Sequence, residues 1–318
     1  MHAAAISPRG GVARRAANLR GQSIIEYVLI IAIIGLVIVF AGPGVAGAIR
    51  NQFNLVGNTV NNGTVGGAEG GGASGGGSAG ADSATVQAAI AKDAKDWTLD
   101  EQKAVAEDIA AKGEASPAYA KAEAAMKAET KFFVKLTNGN TLEYRIIGIN
   151  HDDLADGTGE AGLTFLTTST DIWSHMNATD TNAGGWEKSE LRGRLNSGDL
   201  WALLPAELQS KAKAVTKMTD NQGGGKAGTP SATTDKVFLL SSTEVYGDLD
   251  SDGIQYEYYK SKGVTRSNYS GASLNSGYWT RSVHPGGSNY FRYVNSEGVW
   301  DFSFSAFGNH CVQPAWCF

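Results

Sequence analysis

The run from Ile24 to Ala41 decides what the rest of this chain can be. It holds 18 residues, and among them only Glu26 carries a charge. A helix rising ~1.5 Å per residue spans, with its flanks, the ~30 Å hydrocarbon core of a bilayer. Arg9, Arg14, Arg15 and Arg20 precede the run with no acid among them, and only Arg50 follows closely. Cationic flanks stay on the cytoplasmic side, so the asymmetry predicts a cytoplasmic N-terminus and export of everything beyond. A charge inside such a run costs ~2.5–3.5 kcal/mol at the bilayer centre and less near its edge. Glu26 therefore asks for a cationic partner.

Gly21-Gln22-Ser23-Ile24-Ile25-Glu26-Tyr27, continued by Val28-Leu29-Ile30, resembles the leader junction of Flp prepilins, the type IVb class assembled by Tad secretion systems. The resemblance implies cleavage after Gly21 by a prepilin peptidase. Gln22 then becomes the first mature residue and Glu26 the fifth, followed by the Tyr typical of the family, here Tyr27. It also implies that Glu26 pairs with the new α-amino group of a neighbouring pilin subunit, which supplies the missing cation. A plain signal anchor explains the arginines and the apolar run but gives no reason for Glu26. Flp pilins are very short, whereas more than 250 residues follow here, which points to a minor or tip subunit.

The expected organisation is a leader at 1–21, a pilin-like transmembrane and assembly helix at 22–60, a flexible linker at 61–81, a helical lead-in at 82–131 and a globular domain at 132–318. Gly42-Pro43-Gly44 breaks or kinks the first helix. Asn61 to Ala81 holds ten glycines in 21 residues and reads as a Gly/Ser linker. Ala-rich stretches at Ser83–Asp96, Leu99–Lys112 and Pro117–Lys131 read as helices, with a capping box at Thr98 to Glu101 and a cap at Ser116 before Pro117. Their alanine faces are thin and must lean on the globular domain beyond Lys131.

After Lys131 the hydrophobic period shortens. Phe132–Leu136 and Thr141–Ile149 flank Asn138-Gly139 as a hairpin. Strands are expected at Leu163–Thr167, Ala214–Met218, Val237–Leu240, Tyr278–Ser282, Tyr290–Val294, Val299–Phe304 and Val312–Phe318. Small helices are expected near Ser189–Leu195 and Pro205–Ala212. This is an irregular α+β domain with long loops.

An ordered set of words in this region resembles a bacterial family, domain of unknown function 6273. They include Gly148-Ile149-Asn150-His151-Asp152-Asp153, Asn182-Ala183-Gly184-Gly185-Trp186, Thr234-Asp235-Lys236-Val237-Phe238-Leu239 and Tyr278-Trp279-Thr280-Arg281-Ser282. The resemblance runs from about Trp97 to Phe318. It implies a fold similar to the C-type-lectin-like group that includes formylglycine-generating enzymes. Cys311-Val312-Gln313-Pro314-Ala315 departs from the family's Gly-Val-Arg-Pro-Ala close at Cys311 and Gln313.

Charge excludes one class of partner. The net charge is −5, and loss of the four leader arginines leaves 23 bases against 32 acids, or −9, unsuited to nucleic acid. Trp186, Trp201, Trp279 and Phe238 read as core anchors. Arg192 and Arg281 read as partners of acids or loop carbonyls.

Sites of chemistry are few. Asp248, Asp250 and Asp252 before Gly253 match the first half of a calcium loop, but Tyr259 stands where a bidentate Glu is expected. Calcium and a solvated acidic turn both stand as readings, and no other cofactor is implied. Asp152, Asp153 and Asp156 read as Asp-Gly loop chemistry. Cys311 and Cys317 lie ~20 Å apart on a straight strand, so a disulfide requires a bend at Pro314. The five histidines show no metal-ligand spacing, and no catalytic signature appears, so no enzyme is expected.

The better functional stretch is His284 to His310, whose Tyr, Ser, Asn and Trp content suits a recognition surface. Tyr290, Arg292, Tyr293, Trp300, Asp301, Ser303, Ser305 and Asn309 are the candidate contacts for an extracellular glycan or protein. Two functions compete: a surface-displayed adhesion or recognition protein, membrane-anchored or pilus-associated, and an assembly subunit without an external ligand. An exposed aromatic patch favours the first and scattered charge the second.

Overall fold

The computed structural model describes residues 83–250, 252–300 and 302–318. The leader, the helix at 22–60 and the linker at 61–81 lie outside them, and with them Gly21, Gln22, Glu26 and Tyr27. Among the described residues no helix is long and apolar enough to cross a membrane.

Helices α1 (Ser83–Ala91), α2 (Leu99–Lys112) and α3 (Tyr119–Lys127) come first. Thr98 caps α2 as expected: Glu101 N–H donates to Thr98 Oγ1, and Thr98 N–H donates to Glu101 Oε2 at 2.7 Å. The helix buries Val105, Ala106 and Ile109, and the strand opposite comes so near that a Cβ on Gly162 would lie 1.8 Å from the Ala106 carbonyl oxygen. Small side chains thus permit a close approach, and the thin alanine faces share one core with the sheets. Ser116 Oγ accepts the Ala118 N–H at 3.2 Å, just ahead of α3. Its hydroxyl donates to Asp108 Oδ2 at 2.6 Å, and α3 starts two residues after Pro117.

Strands β1 (Phe132–Lys135) and β2 (Thr141–Ile149) form the expected hairpin, followed by β3 (Leu163–Thr167) and β4 (Trp173–Ser174). Four short helices follow, α4 (Gly185–Lys188), α5 (Glu190–Asn196), α6 (Asp199–Leu203) and α7 (Ala206–Lys211). Next come β5 (Val215–Thr219), β6 (Ser231–Asp235), β7 (Val237–Phe238), α8 (Ser242–Tyr246) and α9 (Glu257–Ser261). Strands β8 (Tyr278–Val283), β9 (Tyr290–Val294), β10 (Phe302–Ser305), β11 (His310–Cys311) and β12 (Ala315–Cys317) complete the order.

They make a five-stranded sheet β1-β2-β3-β12-β7, a second β10-β9-β8-β11-β4, and a two-stranded ribbon β5-β6. The last strand expected from sequence, Val312–Phe318, shortens to β12, and a separate β11 precedes it. Pro314 lacks an N–H and separates the two, and β11 joins the second sheet and β12 the first. Cys311 and Cys317 consequently sit in different sheets, both buried and both unbonded.

The core of the first sheet is aromatic, with Tyr144 and Trp316 4.8 Å apart and Phe132 and Tyr144 5.6 Å apart. Trp186, Trp279 and Phe238 are buried as expected, while Trp201 is half-buried. Arg192 Nε reaches the fully buried Asp235 at 2.6 Å. The turn before α4 needs left-handed backbone at Gly184 and Gly185, with φ of 83° and 53°.

Candidate functional site

Strand β10 is the edge of the second sheet, and its register with β9 sorts its side chains. Phe302 pairs with Tyr293 and Phe304 with Phe291, while Ser303 pairs with Arg292 and Ser305 with Tyr290. Alternation therefore puts Phe302 and Phe304 on one face and both serines on the other. Exposure is 42% at Phe302, 38% at Phe304 and 62% at Phe307, just beyond the strand.

The phenylalanine face continues inward as a chain of rings. Tyr293 lies 4.8 Å from Phe304 and 4.8 Å from His310, and Phe304 lies 4.4 Å from His310. The buried Trp279 meets His310 edge-on at 4.7 Å, and its Nε1–H donates to the Ser174 carbonyl at 2.9 Å. Burial pushes the His310 pKa down, which favours a neutral imidazole, and pushes the Tyr293 phenol up, so it keeps its proton. The result is an uncharged aromatic platform anchored on a fixed tryptophan.

Of the described residues singled out from sequence, all but one fall around this platform rather than on it. Tyr293 belongs to it. Tyr290 is exposed but on the serine face, and Asn309 is exposed in the loop between β10 and β11. Arg292 is buried and holds Asp250 through Nε at 2.7 Å and Nη2 at 3.1 Å. Trp300 is half-buried and donates to the Arg266 carbonyl at 3.1 Å. Ser303 is half-buried, and Ser305 donates to Asp180, which Asn289 also reaches at 2.8 Å. Asp301 lies outside the described residues. Ser303 and Ser305, the two candidate contacts on β10, share one phase of the strand. The open phase is Phe302 and Phe304, because the Ser305 side is capped by Asp180.

The carboxylates of the would-be calcium loop do not converge. Asp248 faces Arg266 at 3.3 Å, Asp250 faces Arg292, and Asp252 accepts from Ser282 Oγ at 2.6 Å. Among the described residues no group of three or more His, Cys, Asp or Glu could hold a metal ion.

Asp156 behaves as a loop residue, accepting from the Thr158 N–H at 3.0 Å. Asp152 does not. It is 3% exposed and enters a buried network whose other charges are Lys217, Glu244 and Arg281. Lys217 Nζ lies 2.6 Å from Asp152 Oδ1 and 2.6 Å from Glu244 Oε1. Arg281 grips Glu244 through Nη1 at 2.5 Å and Nη2 at 2.8 Å. Burial opposes charge on all four. The cations nevertheless hold Asp152 and Glu244 below the usual carboxylate range, and the carboxylates hold Lys217 above its own.

No curated protein and no solved structure matches the chain. Residues 161–318, which run from just before β3 through β12 and leave α1, α2, α3, β1 and β2 outside the match, match the family model described as Domain of unknown function (DUF6273).

Proposed function

We propose that the chain is a noncatalytic, surface-displayed protein: a pilin-like N-terminal segment tethers it in the membrane or a Tad-type filament, and a C-type-lectin-like domain recognises an extracellular glycan or protein. The observation that carries this reading is the aromatic platform built by Phe302 and Phe304 of the edge strand with Tyr293 of β9 and His310 of β11, with Phe307 beside it. Aromatic side chains present large contact area at low conformational-entropy cost, which suits them to recognition. The platform carries no charge of its own, so contact is made by stacking and burial rather than by ion pairing. The Flp-like junction at Gly21 to Tyr27 supports the tether.

The test compares binding of the full chain and its Phe302→Ala/Phe304→Ala variant to a printed glycan panel and to immobilised glycoproteins. Binding lost in the variant at an unchanged melting temperature supports recognition through this face. Equal binding by both proteins contradicts it. Binding by neither, with incorporation into pili alone, would support the assembly-subunit reading instead.

A further inference from the structure

Four charges lie in the interior. Lys217 is 3% exposed, Asp152 3%, Glu244 2% and Arg281 0%. Paired charges so deeply buried give little stability over an apolar core, because desolvation offsets their attraction. Their arrangement is nevertheless specific. Lys217 Nζ sits between two carboxylates, with the Phe238 ring 4.4 Å from it and the Tyr256 ring 5.4 Å away. The Asp152 carboxylate accepts from Tyr256 OH at 3.0 Å on each oxygen and from Thr164 Oγ1 at 2.5 Å. Cys317 Sγ approaches the same Asp152 Oδ2 at 3.4 Å. A nucleophile, an electrophilic carbon under hydrogen-bond donors and a second carboxylate for proton transfer are thus held together away from water.

We propose that Lys217 and Asp152 join in an autocatalytic isopeptide bond. Nζ first passes one proton to Asp152 Oδ1, 2.6 Å away, which gives a neutral amine and a carboxylic acid; the amine then attacks Cγ, a C–N bond forms and one C–O bond breaks. The ammonium and the carboxylate become an amide and one water, so charge and atoms balance and no oxidant or co-reactant is required. Glu244 accepts a proton from Nζ and returns it to the departing oxygen. Tyr256 OH and Thr164 Oγ1 stabilise the oxyanion of the tetrahedral intermediate, as preorganised donors do elsewhere. Holding the groups in contact replaces an encounter in solution with an intramolecular step. The product also resolves the charge problem, since the amide removes one cation and one anion and leaves Glu244 matched to Arg281. The bond ties the β5–β6 ribbon to the turn after β2, 65 residues apart in sequence.

Tryptic mapping of the full chain recovered from cells and denatured tests this directly. The expected result is no cleavage after Lys217 and a branched peptide in which Ala214–Lys226 is joined to Ile146–Lys188. Its mass is the sum of the two less one water, and fragmentation places the junction at Lys217 and Asp152. A linear Ala214–Lys217 peptide with an unmodified Asp152 peptide overturns the proposal. So does a loss of water located instead at Asp156-Gly157. Glu244→Gln is expected to give mostly linear peptides, and full branching in that variant would overturn the role of Glu244. The wild-type map decides the bond without any variant.

Discussion

A Cβ on Gly277 would lie 2.0 Å from the Tyr293 hydroxyl and 2.4 Å from its Cζ, so the residue before β8 leaves the space through which the Tyr293 ring reaches His310. Gly277→Ala must turn that ring away and break the chain of rings from Phe304 to Trp279. Overpacking of this kind costs about 1–3 kcal/mol. The expected outcome is a modest drop in melting temperature with a changed His310 ring shift by NMR. An unaltered His310 signal would show that Tyr293 does not need the space.

His151 is set between two acceptors, with Nδ1 3.1 Å from Glu257 and Nε2 3.1 Å from the Ile254 carbonyl oxygen. Only the doubly protonated ring donates to both. Burial works against that charge, but the Glu257 hydrogen bond and the nearby Asp152 outweigh it, and the pKa lies above the ordinary histidine value. A pKa raised on folding gives stability that is complete below the unfolded value of ~6.5 and lost as pH rises through the folded value. Urea midpoints measured from pH 5.5 to 9 should therefore fall across that window in the wild type and stay flatter in His151→Gln. A flat wild-type profile would rule the contribution out.

Asp235 is fully buried and is held by Arg192 Nε at 2.6 Å, Trp186 Nε1 at 3.0 Å and Thr233 Oγ1 at 2.7 Å. Arg192→Met leaves the carboxylate without its cation. Removal of one partner from a buried pair costs about 3–5 kcal/mol. Chemical denaturation should register a loss of that size, and a change under about 1 kcal/mol would place the pair among exposed ones in effect.

The family match begins at residue 161, yet the first sheet takes β1 and β2 from residues before it, and Asp152 belongs to the buried network. A fragment of 161–318 should therefore lack a cooperative unfolding transition, whereas 83–318 should show one. Gly162→Ala, whose Cβ would collide with the Ala106 carbonyl, should destabilise the longer piece, by several kcal/mol if the helix cannot shift.

Much of this fold was legible in residue pattern. The Asn138-Gly139 hairpin, β3, β8 and β9 announce themselves by β-branched and aromatic runs between turn residues, and Thr98 to Glu101 marks the start of α2. Strand β6 was not legible, because Ser231-Ala232-Thr233-Thr234-Asp235 is polar on both faces and is a strand only through its pairing with β5. Asp152 read as a loop residue because its partner, Lys217, stands 65 positions away and nothing local announces the pair. The open phase of β10 was not legible for a related reason. Alternation fixes which residues share a face, but only the tertiary position of Asp180 decides that the serine face is the covered one.

Display of the domain outside the cell is the claim on which recognition rests, and N-terminal sequencing of the chain recovered from cells tests it most directly. The expected result is a mature chain that begins at Gln22, cut after Gly21 by a prepilin peptidase. A chain that retains Met1 or the residues immediately after it would contradict prepilin processing and reduce the first segment to an ordinary anchor.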